Sequence, residues 1–387
     1  MKSPCGIILL ASILSILGCE GLFDPQDFES QEVAIFRADN FKAAPTPEIP
    51  AQLQIMTWNL KYGAGRIPFW FDCWGDRIQM SKEEVETNMA GIYGLINEVG
   101  PDILMSEEVE LNSRRSAYYN MVEGILNNTD LNYAAYFESW DSRYIPSEGL
   151  GRMNLGTVIF SKHPISFAER IKQADRTDQD ALTKPFYIKR TIGRAEIALD
   201  DSRSVVALVV HTEAYDEDGT KKKHIEQFYE VGMAQTLPTV LGGDLNELPP
   251  TAIDLEGFPD ERSTALCGDD FDQPPYTPAL LQRFYDTMAP AITLERYGTT
   301  PQSQQRYFTH TVLGPDDKDE DGEAGFWNRT LDYLFVTEGS WVEGSTDVLQ
   351  TTGQSVGGDQ GLGPVIQSDP MRLSDHAPVV GIWEVGQ

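Results

Sequence analysis

The stretch "TVLGGDLNELPP" carries an apolar run into two glycines and then offers Asp244 and Asn246, two positions apart. A strand that ends in a glycine turn and then offers two oxygen-bearing side chains has the form of the rim of a reaction site. Spacing by two puts both side chains on one face of an extended segment. Other polar residues close apolar runs or lie within their ends: Asn59 in "TWNLKYG", Glu108 in "DILMSEEVE", His211 in "VVHTEAY" and Asp332 in "TLDYLF". "SDHAPVV" adds Asp375 and His376. Each alone has a plain explanation: Asn59 caps a turn, Glu108 is a solvated carboxylate, His211 is a satisfied core histidine, and "DLN" is a turn after a strand. Their repetition at strand ends favours a site, because packed sheets bring such ends to one edge where loops build clefts.

The elements that must position these residues alternate along the chain. "LQIMTWNL" reads as a strand by its apolar alternation, and "EEVETNMAGIYGLINEVG" places Val85, Met89, Ile92, Ile96 and Val99 on one helical face. "PDILMSEEVE", "GTVIFSK", "SVVALVVHTEAY", "PTVLGGDL", "TLDYLFVT" and "HAPVVGIWEV" are further strands, with a helix around "KHIEQFYEVGMAQ". From about Leu53 onward there is no second linker, repeat or low-complexity block, so 53–387 is expected to be one α/β domain.

With its motifs in this order, the chain resembles the endonuclease/exonuclease/phosphatase superfamily. The resemblance implies a four-layer α/β sandwich of two packed mixed β-sheets flanked by helices. It also implies phosphoester hydrolysis with a divalent metal, magnesium first and manganese or calcium as alternatives. Such a hard cation takes oxygen ligands and neutralises charge on a leaving oxygen. By the same resemblance Glu108 is the metal-binding glutamate, with Asn59 beside the metal and Asp375 contacting it or its water. Asp244 activates the attacking water and Asn246 holds a phosphate oxygen. His376 hydrogen-bonds the phosphate, Asp332 orients His376, and His211 flanks the phosphate on the other side. Glu107 stands where the family usually has Gln, which would make the site more acidic. "GRMNLGTVIFSKHPI" departs from the nuclease pattern, leaving Arg152 or Asn154 as the residue to meet the phosphate there, while Lys162 and His163 read as loop residues.

Composition narrows the substrate. The chain has 60 acidic and 30 basic residues, a formal charge of -30, with 41% hydrophobic content that supports a buried core. Proteins that track a phosphate backbone usually carry an excess of Lys and Arg, so nucleic acid is a disfavoured partner and a phospholipid or small phosphodiester is the alternative. The densest basic run, Lys221 to His224, either greets an anionic substrate or simply starts a helix.

The N-terminus, "MKSPCGIILLASILSILGCE", has the form of a lipoprotein signal over 1–18, with Cys19 as the lipidated first residue. Residues 19–52 are acidic with a Pro-rich end and read as a flexible tether. The expectation is an exported, membrane-anchored bacterial lipoprotein, monomeric, at the periplasmic face or cell surface. Cys73 and Cys267 would then be left to form one disulfide or to remain thiols. Phe69, Trp70, Phe71 and Trp74 are either an apolar lip or local packing around Cys73. Asp317, Asp319, Asp321 and Gly322 mimic half of an EF-hand loop, but Asn328 stands where that motif needs glutamate, so a solvated acidic loop is the preferred reading.

Overall fold

The structure, a computed structural model, describes residues 28–43, 51–70, 75–145, 149–181, 183–214, 218–256, 258, 277–318, 325–358, 361 and 363–386. Two mixed sheets form its centre. The seven-stranded sheet runs, in spatial order, β1 (Gln31–Glu32), β7 (Ile165–Lys172), β8 (Thr191–Ala198), β9 (Ser204–His211), β10 (Thr239–Asp244), β12 (Asp332–Val336) and β11 (Ala289–Pro290). The eight-stranded sheet runs β13 (Ser340–Trp341), β15 (Val379–Glu384), β3 (Gln52–Asn59), β4 (Ile103–Glu110), β6 (Gly151–Ser161), β5 (Tyr133–Ile145) and β2 (Ile35–Arg37), with β14 (Asp347–Val348) also on β15.

Side-chain alternation along the strands sets the layers. In β3, Leu53 and Ile55 face the space between the sheets, where Ile103, Met105, Phe137 and Ile159 meet Ala195, Ala207, Val209 and Leu334 from the other sheet. Met56 and Trp58 point the other way, against α1 (Lys82–Val99) and α2 (Met121–Asn128). Val85, Met89, Ile92, Ile96 and Val99 are all buried, as their spacing requires. Ser81 caps α1 with a reciprocal bond to Glu84. On the far side, Ile225 and Phe228 of α3 (Thr220–Met233) and Phe284 of α4 (Gln282–Thr287) cover Val206, Leu208, Val210 and Phe335. Short helices α5 (Leu294–Tyr297), α6 (Pro301–Gln305) and α7 (Pro370–Leu373) lie in the connections. The order is helix, sheet, sheet, helix: the expected four-layer α/β sandwich.

Strand direction brings the polar residues together. β3 and β4 are parallel, as are β9 and β10, so Asn59 with Glu107 and His211 with Asp244 stand side by side at carboxyl ends. β12 is antiparallel to β10 and starts at Asp332, directly opposite Asp244. β15 is antiparallel to β3, so the residues just before it, Asp375 and His376, arrive at the same edge.

The tether reading of 19–52 is corrected over 28–43. Here β1 pairs with β7 and β2 with β5, and Phe28 is buried beneath the Arg170 guanidinium, 4.9 Å from its ring centre. An edge strand needs only a few residues to satisfy an open row of backbone groups, and the acidic composition around it hid that pattern. Residues 1–27, with the signal and Cys19, and both Cys73 and Cys267 lie outside the described residues.

Candidate active site

Asp244 is the hub where the two sheets meet. Its Oδ2 lies 3.2 Å from Asn59 Nδ2, 3.4 Å from His211 Nε2 and 3.7 Å from His376 Nε2. Its Oδ1 accepts the Asn246 backbone N–H at 2.9 Å. Asn246 therefore does not follow Asp244 along an extended face, as its spacing suggested. β10 ends at Asp244, and Asn246 turns with φ +47, its side chain donating to the Thr212 carbonyl at 3.2 Å. An Asx turn replaces the strand because the Asp244 side chain competes for the backbone donor.

Asn59 joins the two halves of the site. Its amide nitrogen also reaches Glu108 Oε1 at 3.4 Å, while its oxygen accepts the Lys61 N–H at 3.0 Å. Ser374 Oγ donates to the Asn59 carbonyl at 2.7 Å and lies 3.3 Å from Asp375 Oδ1, holding the "SDH" turn against β3. Asp375 Oδ2 meets Lys61 Nζ at 3.2 Å. Asp332 Oδ2 lies 2.8 Å from His376 Nδ1, and the Trp58 indole donates to the His376 carbonyl at 2.8 Å.

A bulge decides which glutamate faces this cluster. Register slips between Ser106 and Val109 in β4, and Glu108 takes φ +55, a conformation rare for a residue with a β-carbon. The kink turns Glu108 toward Asn59 and leaves Glu107 fully buried, with Thr57 Oγ1 donating to it at 3.4 Å.

Burial sets the charges. Burial pushes the Asp244 carboxyl up to about 7, with Asp332 adding to the shift and His376 opposing it. Burial works against a charged His376, yet Asp332 and Asp244 outweigh it and raise its pKa to about 10, so this ring is an imidazolium at neutral pH. His211 is pushed well below its usual value by burial, then by Arg190 and His376, and stays neutral. Burial and the Asp375 charge raise Glu108. Asp375, though buried, is held down by Lys61 and His376. Glu107 is raised well above the carboxylate range by burial, Asp332 and Asp244. The shift favours the neutral form of the carboxyl that stands where the family usually has Gln.

Two groups of residues could hold a cation. Asp244, Asp332 and His376 each offer a ligand atom within 4.8 Å of the others. His376, however, is charged and bonded to Asp332, so it has no lone pair to give. Glu108 and Asp375 are the better pair. Burial and then the Asp375 charge both disfavour an ionised Glu108, and a divalent cation with oxygen ligands would offset both.

Other residues that the sequence singled out bond elsewhere. Arg152 pairs with Asp141 at 3.2 Å, and Asn154 bonds Tyr136 and Glu138. Lys162 is held by Asp102 and the Gly100 carbonyl, and His163 is buried. In the basic run, Lys221 and His224 are buried, and His224 bonds the Glu213 amide and the Ala174 carbonyl, so the run is a packed helix start. Phe69 is core, edge-on to Tyr62, and Trp70 packs near Ile145 and Met153, which favours packing over an apolar lip; 71–74 lie outside the described residues. Asp317 accepts the Gly314 N–H, while Asp319, Asp321 and Gly322 are outside the described residues.

Sequence reasoning missed Lys61 and His310. Lys61 was legible as a cation two residues after Asn59 at a strand end. His310 had no periodic signal, because it sits in irregular chain bridged to Arg329 and His376; its ring stands edge-on to His376 at 4.6 Å.

Solved structures to which the chain is similar include three at low identity. An endonuclease/exonuclease/phosphatase from Beutenbergia cavernae DSM 12333 is 17% identical, covering 87% of this chain and 72% of that one at TM-score 0.45. One from Bacteroides vulgatus is 12% identical, covering 87% and 100% at 0.48. A mannosyl-6-phosphatase from Bacteroides thetaiotaomicron VPI-5482 is 14% identical, covering 85% and 98% at 0.44. No curated protein matches the chain. The family model described as Endonuclease/Exonuclease/phosphatase family matches residues 56–376, a span that holds every residue of the cluster from Asn59 to His376, and the chain belongs to that family.

Proposed function

We propose that the protein is a divalent-cation-dependent hydrolase of phosphodiester or phosphomonoester bonds, acting through an activated water. The family comprises hydrolases of phosphoesters. The observation that carries the reading is the surround of Asp244 Oδ2: a neutral histidine, a charged histidine and an amide within 3.2 to 3.7 Å. An ionised Asp244 takes the proton of water. His376, kept charged and aimed by Asp332, donates to a phosphoryl oxygen and offsets the charge that develops there. His211 and Asn246 hold the phosphate from the other side. Glu108 and Asp375, with Asn59 beside them, would hold the cation, magnesium first and manganese as an alternative, which when bound neutralises phosphate and leaving-group charge.

Purified protein with Mg²⁺ or Mn²⁺ is expected to hydrolyse bis(p-nitrophenyl) phosphate. Glu108→Gln is expected to raise the cation concentration for half-maximal rate by about 10-fold or more. A variant with unchanged cation demand would remove Glu108 from the metal site.

The pH profile follows from the two charges. Asp244 must be ionised to act as base, so kcat/KM rises with pH through about 7. His376 must be charged, so kcat/KM falls as pH passes about 10. A profile flat from roughly pH 4 to 8 would exclude Asp244 as the base.

We also place the protein at a membrane, exported and attached through lipid on Cys19. Phe28 is the first described residue and is packed, nine positions beyond Cys19. That length reaches at most about 30 Å, which would keep the domain close to the bilayer. Labelled palmitate should enter the wild-type chain, and label that persists in Cys19→Ala would refute the anchor.

A further inference from the structure

Glu110 has no place in the hydrolytic scheme, yet it is fully buried two residues beyond Glu108. Arg115, only 4% exposed, is its partner: Nε and Nη2 both donate to Glu110 Oε1, at 3.0 and 2.7 Å. The same guanidinium lies over the Tyr62 ring, 3.5 Å from its centre. Tyr62 follows Lys61, whose ammonium stands 3.2 Å from Asp375. One side chain thus touches both segments that lead to the proposed cation pair: the strand of Glu108, and the turn whose lysine meets Asp375.

Backbone conformation marks the same place. Among the described residues, six other than glycine hold positive φ: Lys61, Tyr62, Glu108, Ala117, Tyr118 and Asn246. Five of these, all but Asn246, lie on the three segments that meet at Arg115. Such conformations persist only where the surroundings over-determine them, and they gather where a side chain must be aimed. In the first segment, Asn59 Oδ1 holds the Lys61 N–H, the Ala64 N–H returns to the Lys61 carbonyl, and Phe69 stands edge-on to Tyr62. In the second, the bulge takes Glu108 out of register and pairing with β6 resumes at Val109 and Glu110, so Arg115 grips the strand just after the kink. In the third, the Tyr118 N–H returns to the Ser113 carbonyl and the Met80 N–H donates to the Arg115 carbonyl. Ser113 Oγ donates to the Asn154 carbonyl of β6 and accepts its N–H, which ties this turn to the same sheet. A guanidinium suits the junction, because a flat fork stacks on a ring while its N–H groups meet a carboxylate. Its charge also favours the ionised form of Glu108, against burial.

We propose that Arg115 is a positioning residue for the cation site: through Glu110 it fixes the bulge that aims Glu108, and through Tyr62 it fixes the turn whose Lys61 holds Asp375. This rests on the reading of Glu108 and Asp375 as the cation pair.

Mn²⁺ binding to the metal-free protein without substrate tests it, with the unbound ion read from its electron paramagnetic resonance signal. Removing Arg115 alone would leave a buried carboxylate unpaired, so both partners are replaced together, as Arg115→Met with Glu110→Leu. Apolar replacement of a whole buried ion pair often leaves stability unchanged. Arg115→Lys is the second variant, which keeps the charge and loses the flat stack and the fork. Phe228→Leu, in the α3 layer on the other sheet, controls for a loss of stability alone. Both Arg115 variants are expected to keep the wild-type circular dichroism spectrum and to bind Mn²⁺ at least about fivefold more weakly, with Phe228→Leu binding as the wild type does. A smaller loss in the double variant overturns the proposal, and if that variant does not fold, Arg115→Lys decides by the same threshold. An equal loss in Phe228→Leu also overturns it, since stability would then account for the effect. Wild-type protein that binds no Mn²⁺ overturns the cation pair and the positioning role together, whereas wild-type binding that survives in the variants overturns the positioning role alone.

Discussion

Asp244→Asn is expected to lower kcat/KM for bis(p-nitrophenyl) phosphate by about 10³-fold or more while leaving the fold intact. The substitution keeps the size and the Oδ1 acceptor for the Asn246 N–H. It replaces the carboxylate oxygen that lies among Asn59, His211 and His376, and an amide cannot take a proton from water. Stability should move in the opposite direction. A carboxyl whose folded pKa is raised to about 7 disfavours the folded state as pH rises from its unfolded value through about 7, because the charged form is paid for in desolvation. An isosteric neutral side chain lacks that penalty, so the metal-free variant is expected to melt at a higher temperature at pH 8 than the wild type. Activity within tenfold of wild type, read beside an unchanged circular dichroism spectrum, would sink the assignment of the base.

Gly243→Ala is expected to destabilise the fold by more than about 4 kcal/mol, among the largest effects a single small substitution can have. Gly243 holds φ +142, where residues with a β-carbon are strained, and an added Cβ would stand 2.0 Å from the Val210 carbonyl oxygen. That oxygen belongs to the backbone of β9, so relief requires moving the strand that carries His211 against the one that carries Asp244. Gly242→Ala supplies the contrast. Its Cβ would meet Met105 Cε at 2.7 Å and Leu334 Cδ2 at 2.8 Å, the ends of flexible side chains that can yield, and about 1–3 kcal/mol is expected. Chemical denaturation of both variants checks the order; equal losses would mean that the strand spacing is softer than the geometry requires.

Much of the architecture was legible before any coordinates. Val85, Met89, Ile92, Ile96 and Val99 repeat at helical spacing and all five are buried, because one helical face is enough to cover a sheet. The strands ending at Asn59, His211 and Asp244 were equally plain from their apolar runs. β1 and β2 were not, since two or three residues on a sheet edge carry too little pattern to stand out from a polar stretch. The KKKH run left a substrate contact and a helix start equally open; α3 begins there, and the burial of Lys221 and His224 was not visible in the charge pattern.

By itself the sequence determined which side chains could do chemistry and that Asn59, His211 and Asp244 close apolar runs, since residue type and hydrophobic period are local properties. Only the tertiary structure decided how they act. The bulge at Glu108 chose between two adjacent glutamates, and the turn at Asn246 replaced an extended face. The meeting of both sheets at Asp244 assigned opposite charge states to two histidines of the same type. Charge state and direction depend on burial and on neighbours far away in the chain, which no window of sequence contains.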